Sequence, residues 1–474
     1  MERKHISRRT FLQLAGAGLA GGIIAACAPA APAPAPQAAK PAEQKPAEQK
    51  PAATEAPKQA PAAPAGGKEF VMWGLQYDPH VDRYKALAEA FEKKTGYKAN
   101  IQPQAWPLET KLLAAITAGT QPDVVCVMGI VSLPLFQQKA VLEMDDVVYK
   151  AAGVDPLKFF YPEAIQAYTW NGHFMGIPLE SNQVGQSIGT RYDYLDEVGD
   201  KAKALWPGLN KKEGFDSYEE MWALAELLQK KEGDKVVRWG ISGQGWDLGQ
   251  YLTTMRSLGK FFWDAEKQKF NFDSEEAVKA MQLYIETPVK KGIETQLDDH
   301  HMNSLFAGKV AIGMGNTAMA PEGAKLKLKV ESVNRPPAIK GKETLYVGEG
   351  GWGFEIPSRA KNKDIAIEFC KWMATREGQV IYAQIYGGVV PSTSAVLDDA
   401  IYQGDDLVKI SRRRAISSLK NTVYYGNDWG LNRTGSDVPL TKCRQGALSA
   451  QEACKALQDV MTANFKQWKD STKS

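Results

Sequence analysis

From Phe70 onward the chain alternates short apolar runs with amphipathic stretches, and this alternation limits the possible folds most. The runs FVMWG, KANIQPQ and DVVCVMG are separated by the stretches VDRYKALAEAFEKKTG and TKLLAAITAG. Tyr84 and Phe91 lie on one face of the first stretch if it is helical. Gly96 and Gly119 stand where the two helices should end. Strand, helix, strand, helix, strand predicts an α/β sheet.

A second series of the same kind begins after Pro178. It contains QSIGTRY, the helix-like SYEEMWALAELLQKKEG, the strand-like VVRWGIS and a further helix pattern that ends at Gly292. Ser217 and Glu220 have the spacing of a capping box, in which each side chain bonds a backbone N–H of the helix start. The second series therefore predicts a second α/β lobe.

The first 27 residues have the layout of an export signal. A basic start with Arg8 and Arg9 is followed by the weakly apolar LAGAGLAGGIIAA and then by Cys27. The pattern resembles a bacterial twin-arginine signal that ends in a lipobox, so Cys27 is predicted to become the lipidated N-terminus. The apolar run is too short for an ordinary membrane span.

Residues 28–67 are predicted to be a disordered tether. They contain 16 Ala and 10 Pro and lack any aromatic or branched aliphatic side chain. Such a segment cannot bury enough surface to offset its ordering entropy. In the stiff, proline-rich limit it would hold a folded body up to roughly 120 Å from its lipid.

Charge and cysteines narrow the function classes. The formal net charge is +3, and the residues before Cys27 carry four basic and one acidic side chain, so the mature chain is neutral. A neutral chain argues against nucleic acid or an anionic membrane as the main partner. The other cysteines form no C-x-x-C pair. Cys443 and Cys454 could be bridged outside the cytoplasm, but buried free thiols are the expectation.

A series of short motifs then suggests a family. In order they are AFEKKTGYKANI, GTQPDVV, NGHFMGIPLE, LFAGKVAIGM, GEGGWGFEIP with SRAKNKDIAIEFCKWMATREGQ, GGVVPS and ALSAQEACKALQDVM. Their order over residues 68–474 resembles the extracellular solute-binding proteins of carbohydrate ABC importers, of the maltose-binding type.

The resemblance implies a two-lobed α/β fold, the type II-like periplasmic-binding-protein fold, with a ligand cleft between lobes that close like a clamp. Lobe 1 would comprise residues 68–180 with 301–355, and lobe 2 residues 181–300 with 356–474. Chain crossings are expected near residues 178–184, near His300 and near Ile356. It also implies an extracytoplasmic, lipid-anchored monomer that binds a sugar, needs no cofactor, catalyses nothing and serves an ABC permease.

The stretch GEGGWGFEIP contains a literal G-x-G-x-x-G at Gly348, Gly350 and Gly353. A dinucleotide-binding loop must open a helix, whose N-terminal N–H groups face the phosphates. Here FEIP follows, which reads as a short strand stopped by proline. Two interpretations remain open: the glycines let Trp352 stand in the cleft, or Trp352 packs in the core behind a hairpin loop.

A sugar site needs aromatic plates for the C–H faces and fixed polar groups for the hydroxyl rim. Ligands in open α/β sheets gather at the carboxyl ends of strands, so we take as candidates the suitable residues at predicted strand ends and crossings. They are Trp73, Gln76, Tyr77, Met128, Gly129, Glu180, Ser181, Asn182, Gln244, Trp246, Asn316, Gly351, Trp352, Asp428 and Trp429.

Three alternatives compete with this prediction. Ser187 lies in a literal G-x-S-x-G, but the polar LESNQV precedes it, whereas a hydrolase elbow needs a buried apolar strand. Asp298, Asp299, His300 and His301 are metal-capable, but adjacent ligands point apart and a solvated loop is the better account, so no metal site is predicted. A lipid-anchored binding protein or sensor for a polyamine, peptide or wall polymer would need the same cleft.

Overall fold

The structure is a computed structural model, and it describes residues 68–106, 108–182, 187–243, 247–295, 301–315, 317–385, 390–426 and 435–472. All of them belong to one unit of the chain, Pro61–Ser474. The predicted signal, Cys27 and the predicted tether lie outside the described residues. No helix in the described part of the chain is long and apolar enough to cross a membrane.

The strands are numbered in chain order. They are β1 Glu69–Leu75, β2 Lys98–Gln104, β3 Val124–Met128, β4 Thr169–Trp170, β5 His173–Phe174, β6 Ile177–Pro178, β7 Glu180–Ser181, β8 Ser187–Arg191, β9 Lys230–Glu232, β10 Lys235–Ser242, β11 Trp263–Asp264, β12 Lys269–Phe270, β13 Val310–Gly315, β14 Val330–Asn334, β15 Tyr346–Gly348, β16 Trp352–Glu355, β17 Val390–Pro391 and β18 Thr422–Tyr424.

The α-helices are numbered in the same way. They are α1 Asp78–Thr95, α2 Leu108–Ala118, α3 Leu133–Gln137, α4 Pro156–Phe159, α5 Pro162–Gln166, α6 Tyr192–Val198, α7 Asp200–Leu205, α8 Tyr218–Leu228, α9 Asp247–Ser257, α10 Glu275–Met281, α11 Thr287–Lys290, α12 His301–Phe306, α13 Met319–Lys325, α14 Lys363–Met373, α15 Arg376–Gln384, α16 Leu407–Ser417, α17 Asp437–Arg444 and α18 Ala450–Thr472.

The first five-stranded sheet has the order β2-β1-β3-β16-β6. β1 pairs in parallel with β2 and β3, while β16 runs antiparallel to β3 and β6. Alternate residues of β1 enter different cores: Phe70 and Met72 pack with α1 and α14, and Val71 and Trp73 pack on the other face. A strand buried on both faces reads as one apolar run, as FVMWG does.

The second five-stranded sheet has the order β14-β8-β13-β10-β9. β10 and β13 are parallel, and β8 is antiparallel to both β13 and β14. Its core takes side chains from α8, α9, α10 and the C-terminal helix α18. Each sheet with its own helices forms one lobe, so the predicted two-lobed α/β fold is confirmed.

The helix boundaries follow the sequence signals. Gly96 ends α1 with a positive φ of 79°, and Gly119 has a φ of 71°. The long helix predicted up to Gly292 runs without interruption from Glu275 to Lys290, as α10, a π-helical turn at Gln282–Glu286, and α11. Pro288 lacks the N–H that regular α-helical hydrogen bonding would need at that position.

Strand pairing differs from the predicted division of the lobes. β13 and β14, within residues 301–355, pair in the second sheet, while α14, within residues 356–474, packs on the first sheet through Phe369. β10 and β13, the strands of the second sheet that precede and follow His300 along the chain, pair with each other, so the pairing gives no sign of a change between the two large sheets there. It changes sheets between β14 and β16, before Ile356. The physical reason is that a strand's partner depends on tertiary packing and not on its place in the chain.

The crossing expected near residues 178–184 agrees with the pairing, because β6 lies in the first sheet and β8 in the second. Two short ladders lie beside the crossings, β7 with β17 and β15 with β18. Cys126, Cys370, Cys443 and Cys454 are free and buried, so Cys443 and Cys454 are not bridged.

Candidate ligand-binding site

Two exposed aromatic side chains lie at the carboxyl ends of the neighbouring strands β1 and β2. Leu75 pairs in register with Gln104, and the Gln76 N–H donates to the Gln104 carbonyl at 2.8 Å. Tyr77 and Trp106 follow these strand ends and are 46% and 55% exposed. Both rings therefore stand at one edge of the sheet, where flat faces are available to a ligand.

Of the residues at this edge, Tyr77 and the exposed Gln76 are among the candidates predicted from the sequence, and Trp106 is not. A signal for Trp106 was present, because QPQAWP places a tryptophan between the end of an extended run and a proline that precedes a helix. A large ring at that position follows a strand end just as Tyr77 does.

Trp73 lies inside the first lobe. It is buried against the apolar face of α2, and its Nε1 donates to Gln102 Oε1 at 3.0 Å. Trp73 therefore supports the strand and does not present an open face. The same side of β1 carries Val71, as the two-residue alternation of a strand requires.

Trp352 is also buried, with 8% of its surface exposed. Its ring centre lies 4.7 Å from that of His80, and its backbone pairs with Met128 across β16 and β3. Of the two interpretations open from the sequence, the structure has the core packing. No helix follows Gly353, which lies within β16, so the loop lacks the helix start of a dinucleotide site.

The glycines of GEGGWG are required by close approach of other groups. Gly351 has a φ of 56°, and a Cβ there would lie 2.2 Å from the carbonyl oxygen of Glu180. Gly350 has a φ of 83°, and its Cβ would meet the Cβ of Ala167 at 2.0 Å. Side chains rarely adopt this left-handed backbone region. The loop is thus packed tightly between α5 and β7.

A polar cluster lies next to the rings of His80 and Trp352. The Tyr382 hydroxyl donates to Glu180 Oε2 at 3.2 Å, and the Arg83 guanidinium lies 3.9 Å from the same oxygen. Burial raises the pKa of the Glu180 carboxyl, and the charge of Arg83 opposes that rise. Burial, with the nearby charge of Arg83, lowers the pKa of His80 to about 3, so this imidazole is neutral at physiological pH. The side chains of this polar cluster are held by one another, and their charges nearly balance.

The remaining described candidates are backbone neighbours of the glycine loop. Gly129 donates its N–H to the Gly351 carbonyl at 2.8 Å, and Asn182 accepts from the Glu349 N–H at 2.9 Å. Ser181 is buried, while Met128 and Asn182 are half-buried. Gln244, Trp246, Asn316, Asp428 and Trp429 lie outside the described residues.

A family model of the bacterial extracellular solute-binding proteins matches residues 86–409, well over half of the chain. This chain belongs to the bacterial extracellular solute-binding proteins. Trp106 lies within the matched region, and Tyr77 lies just before it.

One curated relative of this solute-binding protein is the maltotriose-binding protein of Pyrococcus abyssi (strain GE5 / Orsay). The two are 22% identical over 352 residues, which is 73% of this chain and 71% of the relative.

Solved structures of low sequence identity share the fold. A solute-binding protein of Thermotoga lettingae TMO bound with α-D-tagatose has a TM-score of 0.69 at 16% identity and covers 84% of this chain and 100% of its own. The MalE domain of Bdellovibrio bacteriovorus bound to maltotriose has a TM-score of 0.65 at 16% identity, with the same coverage. UgpB from Mycobacterium tuberculosis in complex with glycerophosphocholine has a TM-score of 0.70 at 15% identity, covering 85% and 100%.

The surroundings of Ser187 in this solute-binding protein differ from a hydrolase elbow. Ser187 is the first residue of β8, is buried, and pairs with Gly315 and Asn334 on neighbouring strands. An elbow serine instead stands on a turn from a strand into a helix, with its Oγ exposed. Of the metal-capable run, residues 298–300 lie outside the description. Elsewhere in the described chain, no group of three His, Cys, Asp or Glu side chains could hold a metal ion.

A separate cavity of about 610 Å³ lies in the second lobe and is lined by Tyr192, Glu331 and Arg413 among others. Arg414 Nη1 lies 2.7 Å from Glu331 Oε1, and Trp206 Nε1 donates to Glu331 Oε2 at 2.8 Å. The buried carboxylate is therefore satisfied by the protein itself. None of the predicted site residues lines this cavity, so the carboxyl edge of the first sheet stays the candidate site.

Proposed function

We propose that this solute-binding protein captures an uncharged sugar or oligosaccharide between its lobes and delivers it, chemically unchanged, to an ABC permease. The observation that carries the proposal is the pair of exposed rings, Tyr77 and Trp106, at the carboxyl edge of the first sheet, with the His80 ring of the polar cluster 5.7 Å from the Tyr77 ring. Rings cover the C–H faces of a sugar, and fixed polar groups bind its hydroxyl rim.

The nearly balanced charge of the polar cluster favours a neutral ligand. Arg83 supplies the opposite charge beside Glu180, the Tyr382 hydroxyl donates a hydrogen bond to the same carboxyl group, and His80 is uncharged. A polyamine or an anion would leave one of these buried groups unbalanced, which is costly. The relatives named above for maltotriose and tagatose support a sugar, whereas the glycerophosphocholine complex shows that the fold also serves another polar solute.

The energies suit a carrier. Two stacked rings contribute about 1 kcal/mol each beyond burial, and several hydrogen bonds contribute about 1 kcal/mol each. Together they approach the roughly 8 kcal/mol that micromolar binding requires. Closure would then be driven by contacts made with both lobes at once, because a ligand with equal affinity for both states shifts nothing.

The lipid anchor at Cys27, the twin-arginine export route, an extracytoplasmic location on the outer face of the cytoplasmic membrane and a monomeric state belong to the same proposal. Their support is the sequence pattern of residues 1–67. The lobe boundaries stay part of the proposal as well, with β13 and β14 assigned to the second lobe and α14 to the first.

A thermal-shift screen tests the proposed function. We expect the melting temperature to rise with ligand concentration for one class of mono- or oligosaccharide, and not for polyamines, peptides or glycerophosphodiesters. With the sugar found, Tyr77→Ala and Trp106→Ala should each weaken binding about fivefold or more, since one lost ring contact is worth about 1 kcal/mol.

Tyr97→Ala is the matched control for these variants. Tyr97 is a half-buried aromatic residue that immediately precedes β2, at the opposite edge of the sheet from Trp106. It should leave affinity unchanged. A shift with a polyamine or peptide alone would replace the sugar by that solute, and equal effects of all three variants would contradict the assigned edge.

A further inference from the structure

Glu163 lies at a point where backbone segments of both lobes converge. It belongs to the short helix α5 and is 2% exposed. Its Oε1 accepts the Gly350 N–H at 2.8 Å. A Cβ at Gly348 would lie 2.2 Å from the same oxygen, so the carboxyl group packs flat against the glycine loop.

The loop that Glu163 holds connects the two lobes. On one side, the Val347 N–H donates to Thr253 Oγ1 at 3.2 Å and the Leu345 N–H to Ser257 Oγ at 2.9 Å, both on α9 of the second lobe. On the other side, Trp352 begins β16 in the first sheet. Residues 348–351 are therefore one hinge segment.

A second hinge segment meets the same carboxyl group. Ser181 and Asn182 follow β6 of the first sheet and precede β8 of the second. Both residues lie close to Glu163, whose Oε2 has no hydrogen-bond partner among the described residues. The Glu349 N–H also donates to the Asn182 carbonyl at 2.9 Å, which ties the two segments to each other. The glycine loop that Glu163 holds is thus bonded to the second crossing as well.

We propose that Glu163 is a proton-dependent latch of the hinge: while it is neutral, the glycine loop and the crossing segment bonded to that loop stay packed against α5, and its ionisation releases them because the buried carboxylate would lack a counter-charge. The proposal rests on the proposed function in one respect: it takes the hinge motion to be the motion that captures the ligand. It would make capture and release of the solute respond to external pH.

The groups that face Glu163 support a neutral latch. From the glycine loop comes Glu349, a second carboxyl group that is 1% exposed and accepts from the Tyr425 hydroxyl at 3.1 Å. From the β7 segment come Ser181 and the Asn182 N–H. No positive charge acts on Glu163 among the described groups that shift its pKa. An ionised Glu163 would therefore stand beside Glu349 without a counter-charge.

Burial raises the pKa of Glu163 to about 8, against 4.5 for a solvated glutamate, and Glu349 adds to the rise while the hydrogen bond from Gly350 opposes it. Between pH 4.5 and pH 8 the latched state holds a proton that the released state gives up. Release should therefore become easier as pH rises through this window, by about tenfold per pH unit, and should level off above pH 8.

Amide hydrogen exchange of the ligand-free, full chain tests the latch. After correction for the intrinsic rate, peptides spanning residues 345–352 should lose about tenfold in protection per unit from pH 5 to pH 8. Peptides of α8 supply the internal reference. In Glu163→Gln the side chain cannot ionise, so the hinge peptides should lose this slope. In Glu349→Gln the neighbouring charge is gone, so the slope should level off at lower pH.

Glu355→Gln is the matched control. Glu355 is fully buried in β16, and burial likewise raises its pKa to about 8, but its neighbour is Ser132 and not the glycine loop. This variant should keep the hinge slope. A wild-type hinge whose corrected exchange is independent of pH would overturn the latch, as would a slope that survives Glu163→Gln or vanishes in Glu355→Gln. Because no sugar is present, failure of the sugar screen leaves these outcomes unaffected.

Discussion

At the scale of single residues, the rings of His80 and Trp352 are in contact within the first lobe. Their ring centres are 4.7 Å apart, and the Trp352 ring packs in the same core as Phe354. The neutral imidazole costs less to bury than a charged one would. The His80 ring thus contacts both the buried ring of Trp352 and the exposed ring of Tyr77.

We expect Trp352→Ala to lower the free energy of unfolding by about 3–5 kcal/mol, because truncating a buried tryptophan removes its transfer energy and leaves a cavity. Denaturant unfolding of both proteins measures this difference. Trp468→Ala, at a half-buried tryptophan of α18, should cost less. An unchanged stability combined with a lost sugar affinity would instead place Trp352 at the ligand.

At the scale of elements, the start of α8 shows how local sequence sets a boundary. Ser217 Oγ accepts the Glu220 N–H at 3.3 Å. Glu220 Oε2 in return accepts the Asp216 N–H at 3.1 Å, one residue earlier than a standard capping box. The helix then buries Met221, Trp222 and its following apolar positions in the second core. The cap fixes where this buried face begins.

Ser217→Ala should therefore lower the free energy of unfolding by about 1 kcal/mol, because an N–H at the helix start loses its acceptor. Ser217→Asp restores an acceptor and should return most of the stability. Chemical unfolding of the three proteins checks the order. Equal losses for alanine and aspartate would show that the hydroxyl acts through burial rather than as a cap.

At the scale of the whole molecule, the two lobes each have their own sheet and core, and the chain passes between them at the β6–β8 and β14–β16 connections. Such an arrangement lets each lobe stay rigid while a few connecting residues change conformation.

We expect Cys27→Ser to release the protein from the membrane fraction into the medium or periplasm, because serine cannot carry a thioether-linked lipid. Cell fractionation with detection of the folded protein measures the distribution. Cys454→Ser is the control, since Cys454 is buried in the second lobe and should leave the distribution unchanged. A Cys27→Ser protein that stays with the membranes would contradict the anchor.

Local patterns in the sequence determined the elements of this protein. The alternation from Phe70, the glycines at 96 and 119 and the cap at Ser217 predicted elements that the structure has. These signals work because each depends on groups a few residues apart. The motif order also predicted the two-lobed fold, which the structure confirms. Tyr77 stays a predicted site residue, chosen because an aromatic side chain follows a strand end.

Only the tertiary structure decided which sheet each late strand joins and which aromatic rings are open. β13 and α14 exchanged lobes relative to the prediction, Trp73 and Trp352 are buried, and Trp106 is exposed. Pairing partners and burial depend on contacts between residues hundreds of positions apart, such as Gly350 with Glu163. The residues adjacent to a given residue in the sequence do not determine those contacts.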